Sequence, residues 1–370
     1  MVYYRGKTDC INNIIYLKCD SGVNVIKNWR KKSYIALLLS FSIFLVACKD
    51  NTKPVEKETY MMGTIVNLKV YGKNAEKATE RAITRVEEIE NKMSVNIETS
   101  EISKLNSKAG VSAEKLSADT YSVLEKAVKY SKLTKGAFDP TIEPIVKLWG
   151  IGTDAERVPS EDEINEKLKL VDYNDILLDG KNSTAKLKRI NQSVDLGAIA
   201  KGYTADEIKG ILLKNKISSA IINLGGNIYA MGHKVDGNDW NIGIQNPLTT
   251  RGEYLGTISV SDKSVVTSGN YERFFMVGDK RYHHIFDPKD GYPSENGIIS
   301  TTIISDTSID GDVLSTSTYI LGLEKGNKLV ESIDGVEAIF VTDDKKIYVT
   351  SGIKDSFNLI DKGFTYEEGR

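Results

Sequence analysis

The chain has 370 residues, 40% of them apolar, with 49 Lys+Arg against 51 Asp+Glu. Setting aside the seven basic and two acidic residues of positions 1–47 leaves a net charge of −7, which argues against nucleic acid as a partner. The three cysteines, Cys10, Cys19 and Cys48, all lie at or before position 48, so the rest of the chain can form neither a disulfide framework nor a thiolate metal centre.

Arg30, Lys31 and Lys32 precede an apolar run from Tyr34 to Ala47. That run is shorter than the roughly 20 residues needed to span a bilayer. A basic segment, a short apolar segment and a small residue before a break form a secretory signal. Here the break, Leu45-Val46-Ala47-Cys48, resembles a bacterial lipobox, which implies cleavage before Cys48 and lipidation of that residue. A plain signal peptide with an incidental cysteine is the alternative. The expectation is an exported protein, lipid-anchored to the outer face of the bacterial cytoplasmic membrane. Residues 1–47 are then extension and signal, 48–57 lipidated cysteine and polar tether, 58–352 one domain, and 353–370 a tail.

Within the domain, Thr64 to Tyr71 alternates, with Val66, Leu68 and Val70 on one face, and predicts a strand. Asn74 is placed to cap a helix bearing Ala78, Ala82, Val86, Ile89 and Met93 on one stripe. A second helix is expected over about 118–135, stopped by Gly136, and Ser160 with Glu163 forms a capping-box pattern. A helix over about 200–214 follows a glycine-bounded block, then a strand at 220–223. Further strands are expected at 240–244, 257–260, 299–304, 338–341 and 347–350. The elements are interspersed without a βαβ beat, which predicts an α+β fold with a largely antiparallel sheet. The dinucleotide fingerprint G-x-G-x-x-G is missing after the first strand, so the fold is not expected to be Rossmann.

Several blocks carry chemistry. Val194-Asp195-Leu196-Gly197-Ala198-Ile199-Ala200-Lys201-Gly202-Tyr203 puts two glycines and a lysine at a helix start, where backbone amides and the helix dipole favour an anion. A plain strand-to-helix turn fits the same residues. Leu224-Gly225-Gly226-Asn227 suits a tight turn with close backbone approach. Asp312 and Thr316, four apart in a predicted helix, place a carboxylate and a hydroxyl on one face, a corner suited to a hard cation. Thr267, Ser268 and Gly269 read as a Ser/Thr/Gly loop, Asp287-Pro288 as a turn start, and Trp149 as structural packing. Of the adjacent pair His283 and His284, strand alternation lets only one face a given site.

These blocks, with Met62-Gly63-Thr64, Gly136-Ala137-Phe138-Asp139-Pro140, Thr267-Ser268-Gly269-Asn270-Tyr271 and His284-Ile285-Phe286-Asp287-Pro288, resemble in order the FAD:protein FMN transferases of the ApbE type. The resemblance implies an ApbE-like fold related to the T-fold, with FAD as substrate and Mg²⁺ as cofactor. It implies metal ligation by the Ala198 carbonyl, Asp312 and Thr316. It implies flavin-nucleotide contacts from Met62, Asn96, Ala137, Phe138, Asp139, Asp195, Lys201, Gly225, Gly226, Thr267, Ser268, Gly269 and His284. His284 and Asp287 are candidates for the base. Asn96 departs from the pattern, since many relatives carry an aromatic residue at its position; a small polar residue there opens the site to water.

The implied reaction is attack by a Thr or Ser hydroxyl on the FMN-side phosphorus of FAD, with AMP leaving. Such chemistry rests on positioning and electrostatics and needs no strong enzymic nucleophile. The implied acceptors are exported or membrane redox proteins with an Asp-Gly-x-Thr/Ser-Gly-Ala-Thr type sequence. Two alternatives are an FAD pyrophosphatase, which Asn96 favours, and a non-catalytic flavin-binding lipoprotein, which has no need of Asp312 and Thr316.

Overall fold

The computed structural model describes residues 52–250 and 252–367. The expected signal segment and the lipidation at Cys48 lie outside the described residues. Seven α-helices occur among the described residues: α1 (Ala75–Met93), α2 (Glu101–Ser107), α3 (Ala118–Leu133), α4 (Glu143–Trp149), α5 (Glu161–Leu168), α6 (Ala200–Lys214) and α7 (Ser308–Val330). The strands are β1 (Val55–Met61), β2 (Thr64–Tyr71), β3 (Glu114–Lys115), β4 (Ile176–Asp179), β5 (Thr184–Leu187), β6 (Ser219–Leu224), β7 (Asn227–Met231), β8 (Trp240–Gln245) and β9 (Tyr254–Val260). They continue as β10 (Lys263–Gly269), β11 (Phe274–Val277), β12 (Lys280–His283), β13 (Ile298–Ser305), β14 (Glu337–Thr342), β15 (Lys346–Val349), β16 (Phe357–Leu359) and β17 (Thr365–Glu367).

Nine strands form the main sheet in the order β1-β2-β6-β7-β10-β13-β14-β15-β17. Every pairing in it is antiparallel except β15 with β17. The expected α+β, non-Rossmann architecture is therefore present. One face of the sheet is covered by helices. Val66, Leu68 and Val70 of β2 meet Ala78, Ala82 and Val86 of α1 and Ile208 and Leu212 of α6 in one buried cluster. On the other face, Ile304, Ile339 and Val341 pack against Trp240, Ile242 and Ile258 of the small sheet β16-β9-β8. Strand β13 is buried along its whole length because both faces are covered.

The structure adjusts several expectations. Strand β1 starts at Val55, so the segment assigned to the tether through residue 57 gives its last three residues to the sheet edge. The segment read as a C-terminal tail supplies β16, which pairs with β9, and β17, which pairs with β15. Thr267, Ser268 and Gly269 are strand β10 rather than a loop. Asn74 stands at the cap position of α1 without capping it, because its side-chain amide donates to the Asn215 carbonyl at 3.0 Å. The Ser160–Glu163 capping box forms as read.

Helix α7 is not continuous. Gly322 (φ 77°, ψ 174°) breaks it, and the Asn296 side-chain amide donates to the carbonyls of Tyr319 (2.7 Å) and Ile320 (3.2 Å) just before the break. The segment before Gly322 is thus closed at its C-terminal end by a side chain from elsewhere in the chain.

Candidate active site

The site forms where the loop before α6 meets the first turns of α7. Gly202 makes this crossing possible. A Cβ there would overlap the Ser308 carbonyl and the Ile309 backbone. With no Cβ in the way, the Gly202 amide donates to Oδ2 of Asp312 at 2.9 Å. Asp312 is 4% exposed. Its Oδ1 faces Lys201 Nζ at 3.5 Å, and the same ammonium donates to the Gly197 carbonyl at 2.9 Å. Lys201 thus ties the glycine loop to the carboxylate of α7. Gly197 and Gly202 lie on either side of the start of α6 at Ala200.

Asp195 holds the front of this loop. Its amide donates to the Pro140 carbonyl (2.8 Å), and its carboxylate accepts from the Gly197 amide (2.8 Å). Burial pushes its pKa up; the Gly197 amide, Lys201, Arg273 and Lys147 oppose that shift. Ala198 lies half-buried in the same turn, three residues before Lys201. On the sheet side, Ser268 of β10 reaches the hydroxyls of Ser315 (2.9 Å) and Thr316 (3.2 Å) on α7, and Thr267 meets Thr302 at 2.7 Å. Asp195, Ala198, Lys201, Asp312, Thr316 and Ser268 are therefore brought together. Thr267 is engaged one strand over, on β13.

Gly225 has φ +64° and packs where a Cβ would overlap the Thr64 side chain, while the Gly226 amide donates to Asn223 Oδ1 at 2.9 Å. Buried Asn227 accepts from the Ser308 hydroxyl at 2.6 Å, which fastens this turn to the start of α7. Gly269 leaves room for the Tyr271 ring. Met62, at φ +53°, donates its amide to Glu90 Oε1 (2.7 Å), and its sulfur accepts from Thr204 Oγ1 (3.4 Å).

The two histidines part where β12 ends: His283 is its last residue, and His284 lies in the bend that follows, outside the strand whose alternation was expected to separate them. His283 is buried, edge-on to Tyr319, with Nε2 at 3.2 Å from the Ser294 carbonyl. His284 is half-buried, and its Nδ1 lies 3.2 Å from the Arg273 carbonyl. A carbonyl only accepts, so this contact assigns the proton to Nδ1 and leaves the Nε2 lone pair free. Burial, and then the Arg273 charge, pushes His284 down to about 3, so the ring is neutral near pH 7. A His284→Gln protein should therefore lose activity by a similar factor at every pH from 5 to 8. A pH–rate profile in which the wild type alone shows a limb near 6.5 would contradict this.

Arg273 is a site residue that the sequence did not disclose. A Cβ on Gly63 would lie 3.9 Å from its guanidinium, and its charge bears on both Asp195 and His284. No spacing pattern marks a single arginine between Glu272 and Phe274. Glu143 is a second. It is 2% exposed, pairs with Lys147 at 3.0 Å, and is pushed up to about 7 by burial and then by Asp195. The folded state then binds more protons than the unfolded chain between about pH 4.5 and 7, so stability falls as pH rises through that window. Glu143→Gln should remove this slope, which amounts to roughly 3 kcal/mol at full ionisation. Urea midpoints at pH 5 and pH 8 measure it, and equal slopes in both proteins would count against the assignment.

The other expected site residues make contacts within the protein. Ala137 and Phe138 are buried in the core. Asp139 accepts from Thr141 N (2.8 Å), Thr141 Oγ1 (2.6 Å) and Tyr173 N (3.0 Å), so its carboxylate caps a turn. Burial still pushes its pKa up to about 6. Asn96 is exposed in the turn after α1, its amide on Ser94 Oγ at 3.2 Å. Asp287 accepts from the Lys289 amide at 2.9 Å and, through its carbonyl, from the Gly291 amide at 2.8 Å. That is a turn-holding role, and no hydrogen bond among the described residues joins Asp287 to Asp195, Asp312 or His284. Trp149 packs with Tyr282, Phe286 and Tyr292, as its structural reading required.

The fold and site together define a non-Rossmann α+β enzyme in which a helix start meets a buried carboxylate. The chain belongs to the ApbE family, whose model matches residues 62–340. It is 36% identical to the FAD:protein FMN transferase of Treponema pallidum over 324 residues, covering 83% of this chain and 90% of that protein. Among solved structures it resembles the ApbE protein of Thermotoga maritima (TM-score 0.76, 31% identity, 82% of this chain and 99% of that one). It also resembles the flavin transferase ApbE of Vibrio cholerae (TM-score 0.74, 27% identity, 82% and 98%).

Proposed function

We propose that this protein is a magnesium-dependent FAD:protein FMN transferase, acting on a Thr or Ser hydroxyl of exported or membrane redox proteins and releasing AMP. The observation that carries the reading is the junction of Gly197, Lys201, Gly202 and Asp312: a glycine-bounded helix start carrying a lysine, set directly against a buried carboxylate. Relatives named FAD:protein FMN transferase support the flavin substrate.

The residues suit the metal. Among the described residues no group of three His, Cys, Asp or Glu side chains gathers. A hard cation, however, takes carbonyl and hydroxyl oxygens beside a carboxylate. Asp312 Oδ1 already faces a cation, the Lys201 ammonium, and the Thr316 hydroxyl lies on the same face one turn on. Asp312, Thr316 and the Ala198 carbonyl would hold the ion. A magnesium ion held there would neutralise pyrophosphate charge and steady the departing AMP.

The chain's own groups do the rest. Lys201 would meet phosphate oxygens, and Arg273 adds a second positive charge near Asp195 and His284. The acceptor oxygen bonds to the FMN-side phosphorus as the bond to the AMP oxygen breaks. The hydroxyl proton passes to Nε2 of His284, whose basicity the bound pyrophosphate raises by offsetting the Arg273 and Lys201 charges, and AMP leaves with the bonding electron pair. Exposed Asn96 leaves room for water to take the acceptor's place, which gives the pyrophosphatase reading its one supporting observation. By the leader sequence, the protein works lipid-anchored at Cys48 on the outer face of the cytoplasmic membrane.

The test is mass spectrometry of a candidate acceptor incubated with the protein, FAD and Mg²⁺. A gain of one FMN, with AMP formed in equal amount, is the expected result. AMP without acceptor modification would replace transferase by pyrophosphatase. Tight FAD binding with no turnover would leave a flavin carrier.

A further inference from the structure

Helix α7 has no N-cap of its own. Thr307 stands at the cap position and makes no side-chain capping hydrogen bond. The first amides of a helix nevertheless need acceptors. They find them on another helix: Asp206 of α6 accepts from Ser308 N through Oδ1 (2.8 Å) and from Ile309 N through Oδ2 (3.0 Å). One helical turn earlier on α6, the Gly202 amide donates in the opposite direction to Asp312, about one turn further along α7. Two hydrogen-bonded contacts of opposite sense, one turn apart on both helices, fix the separation of the helices and their axial register.

We propose that Asp206 is a positioning residue that sets the register of α7 against α6, and with it the placement of Asp312 and Thr316 relative to Ala198 and Lys201. This inference rests on reading Asp312, Thr316 and the Ala198 carbonyl as the cation ligands. An ordinary cap such as Ser, Thr or Asp within α7 itself would satisfy the same amides and stabilise the helix equally. It would not tie the helix to α6. A carboxylate supplied from α6 makes helix capping and ligand spacing one interaction. The neighbouring anchors act along other directions: Asn227 and Ser264 hold the Ser308 hydroxyl, and Ser268 holds Ser315 and Thr316. None of them links α7 to α6.

The experiment compares the wild type, Asp206→Ala, Asp206→Asn and the double variant Asp206→Ala/Thr307→Asp. Magnesium binding is measured by calorimetry, FAD binding without metal by fluorescence, and Tm by thermal unfolding. Asp206→Ala is expected to weaken magnesium binding about tenfold or more and to lower Tm, with metal-free FAD binding within about twofold of wild type. Asp206→Asn, which keeps one acceptor oxygen, should fall between. Thr307→Asp gives the helix its own cap, so the double variant should recover Tm but not magnesium affinity. Recovery of both would overturn the inference, because Asp206 would then be a cap and nothing more. Equal magnesium binding by the wild type and Asp206→Ala would overturn it too, while leaving the metal reading intact. A wild type that binds no magnesium would overturn both.

Discussion

Asp312→Ala should lower the rate of FMN transfer at saturating Mg²⁺ by about 10³ or more, a loss of roughly 4 kcal/mol of transition-state stabilisation. Asp312 is buried, and both of its oxygens are committed: Oδ2 to the Gly202 amide at 2.9 Å and Oδ1 toward Lys201 at 3.5 Å. The substitution removes the only carboxylate of the proposed ligand set. It also leaves the buried Gly202 amide without its acceptor, so some loss of stability accompanies the loss of rate. Asp312→Asn separates the two effects. It keeps an oxygen for the Gly202 amide but carries no charge, so Tm should stay near wild type while the rate still collapses. The rate is read as FMN incorporated per minute at several magnesium concentrations. An Asp312→Ala protein that transfers FMN at the wild-type rate rules the assignment out.

The second large effect is expected at Gly202. A methyl group there meets the Ser308 carbonyl and the Ile309 backbone, and neither can rotate away as a flexible side chain would. Helix α7 must move, at a cost of about 1–3 kcal/mol for overpacking. The movement stretches the Gly202–Asp312 hydrogen bond, and a displacement near 1 Å at a reacting site costs on the order of 10²-fold in rate. Gly210 supplies the control. It lies in the same helix with nothing within 4 Å of where its Cβ would stand. Gly210→Ala should therefore stabilise the protein by roughly 0.5–1 kcal/mol, as alanine does for glycine in a helix interior, and leave the rate unchanged. One substitution, two positions on one helix, and opposite signs in Tm are expected. A Gly202→Ala protein with normal Tm and rate would show that the helices have slack there.

Much of this was legible in the residues. The alternation of Val66, Leu68 and Val70 meets the first part of the α1 stripe, Ala78, Ala82 and Val86, in one buried cluster, while Ile89 and Met93 continue the stripe into a second, because a one-sided apolar pattern has only one way to be buried. The blocks around Asp195, Lys201 and Asp312 were brought together by the family resemblance, since the residues of each fit a plain turn or helix start as well. What stayed hidden has identifiable causes. Strand β10 carries Thr267 and Ser268 where a core strand normally shows apolar residues; their hydroxyls bond to Thr302, Ser315 and Thr316, so the polarity that reads as loop is cross-element bonding. Asp139 entered through the family resemblance of its block, and the three donors on its carboxylate come from Thr141 and from Tyr173, which no local pattern records. The weight of Arg273 comes from where the chain folds back beside Gly63, which no local spacing records. Asp206 was passed over for the same reason: its partners Ser308 and Ile309 lie about a hundred residues ahead.

The break at Gly322 and the borrowed end at Asp206 bear on how the molecule comes into being. The rod that carries Asp312 takes one terminus from residue 206 and the other from Asn296, and its central contact with Gly202 spans 110 positions. Pairings over such separations form slowly, because long stretches of chain must close before they are rewarded. A nascent polypeptide halted at the threshold of the last fifth of its length would own the 194–203 block and five of the nine strands of its main sheet, yet lack Asp312 and Thr316, the proposed cation ligands. Competence arrives late and all at once, when the rod docks.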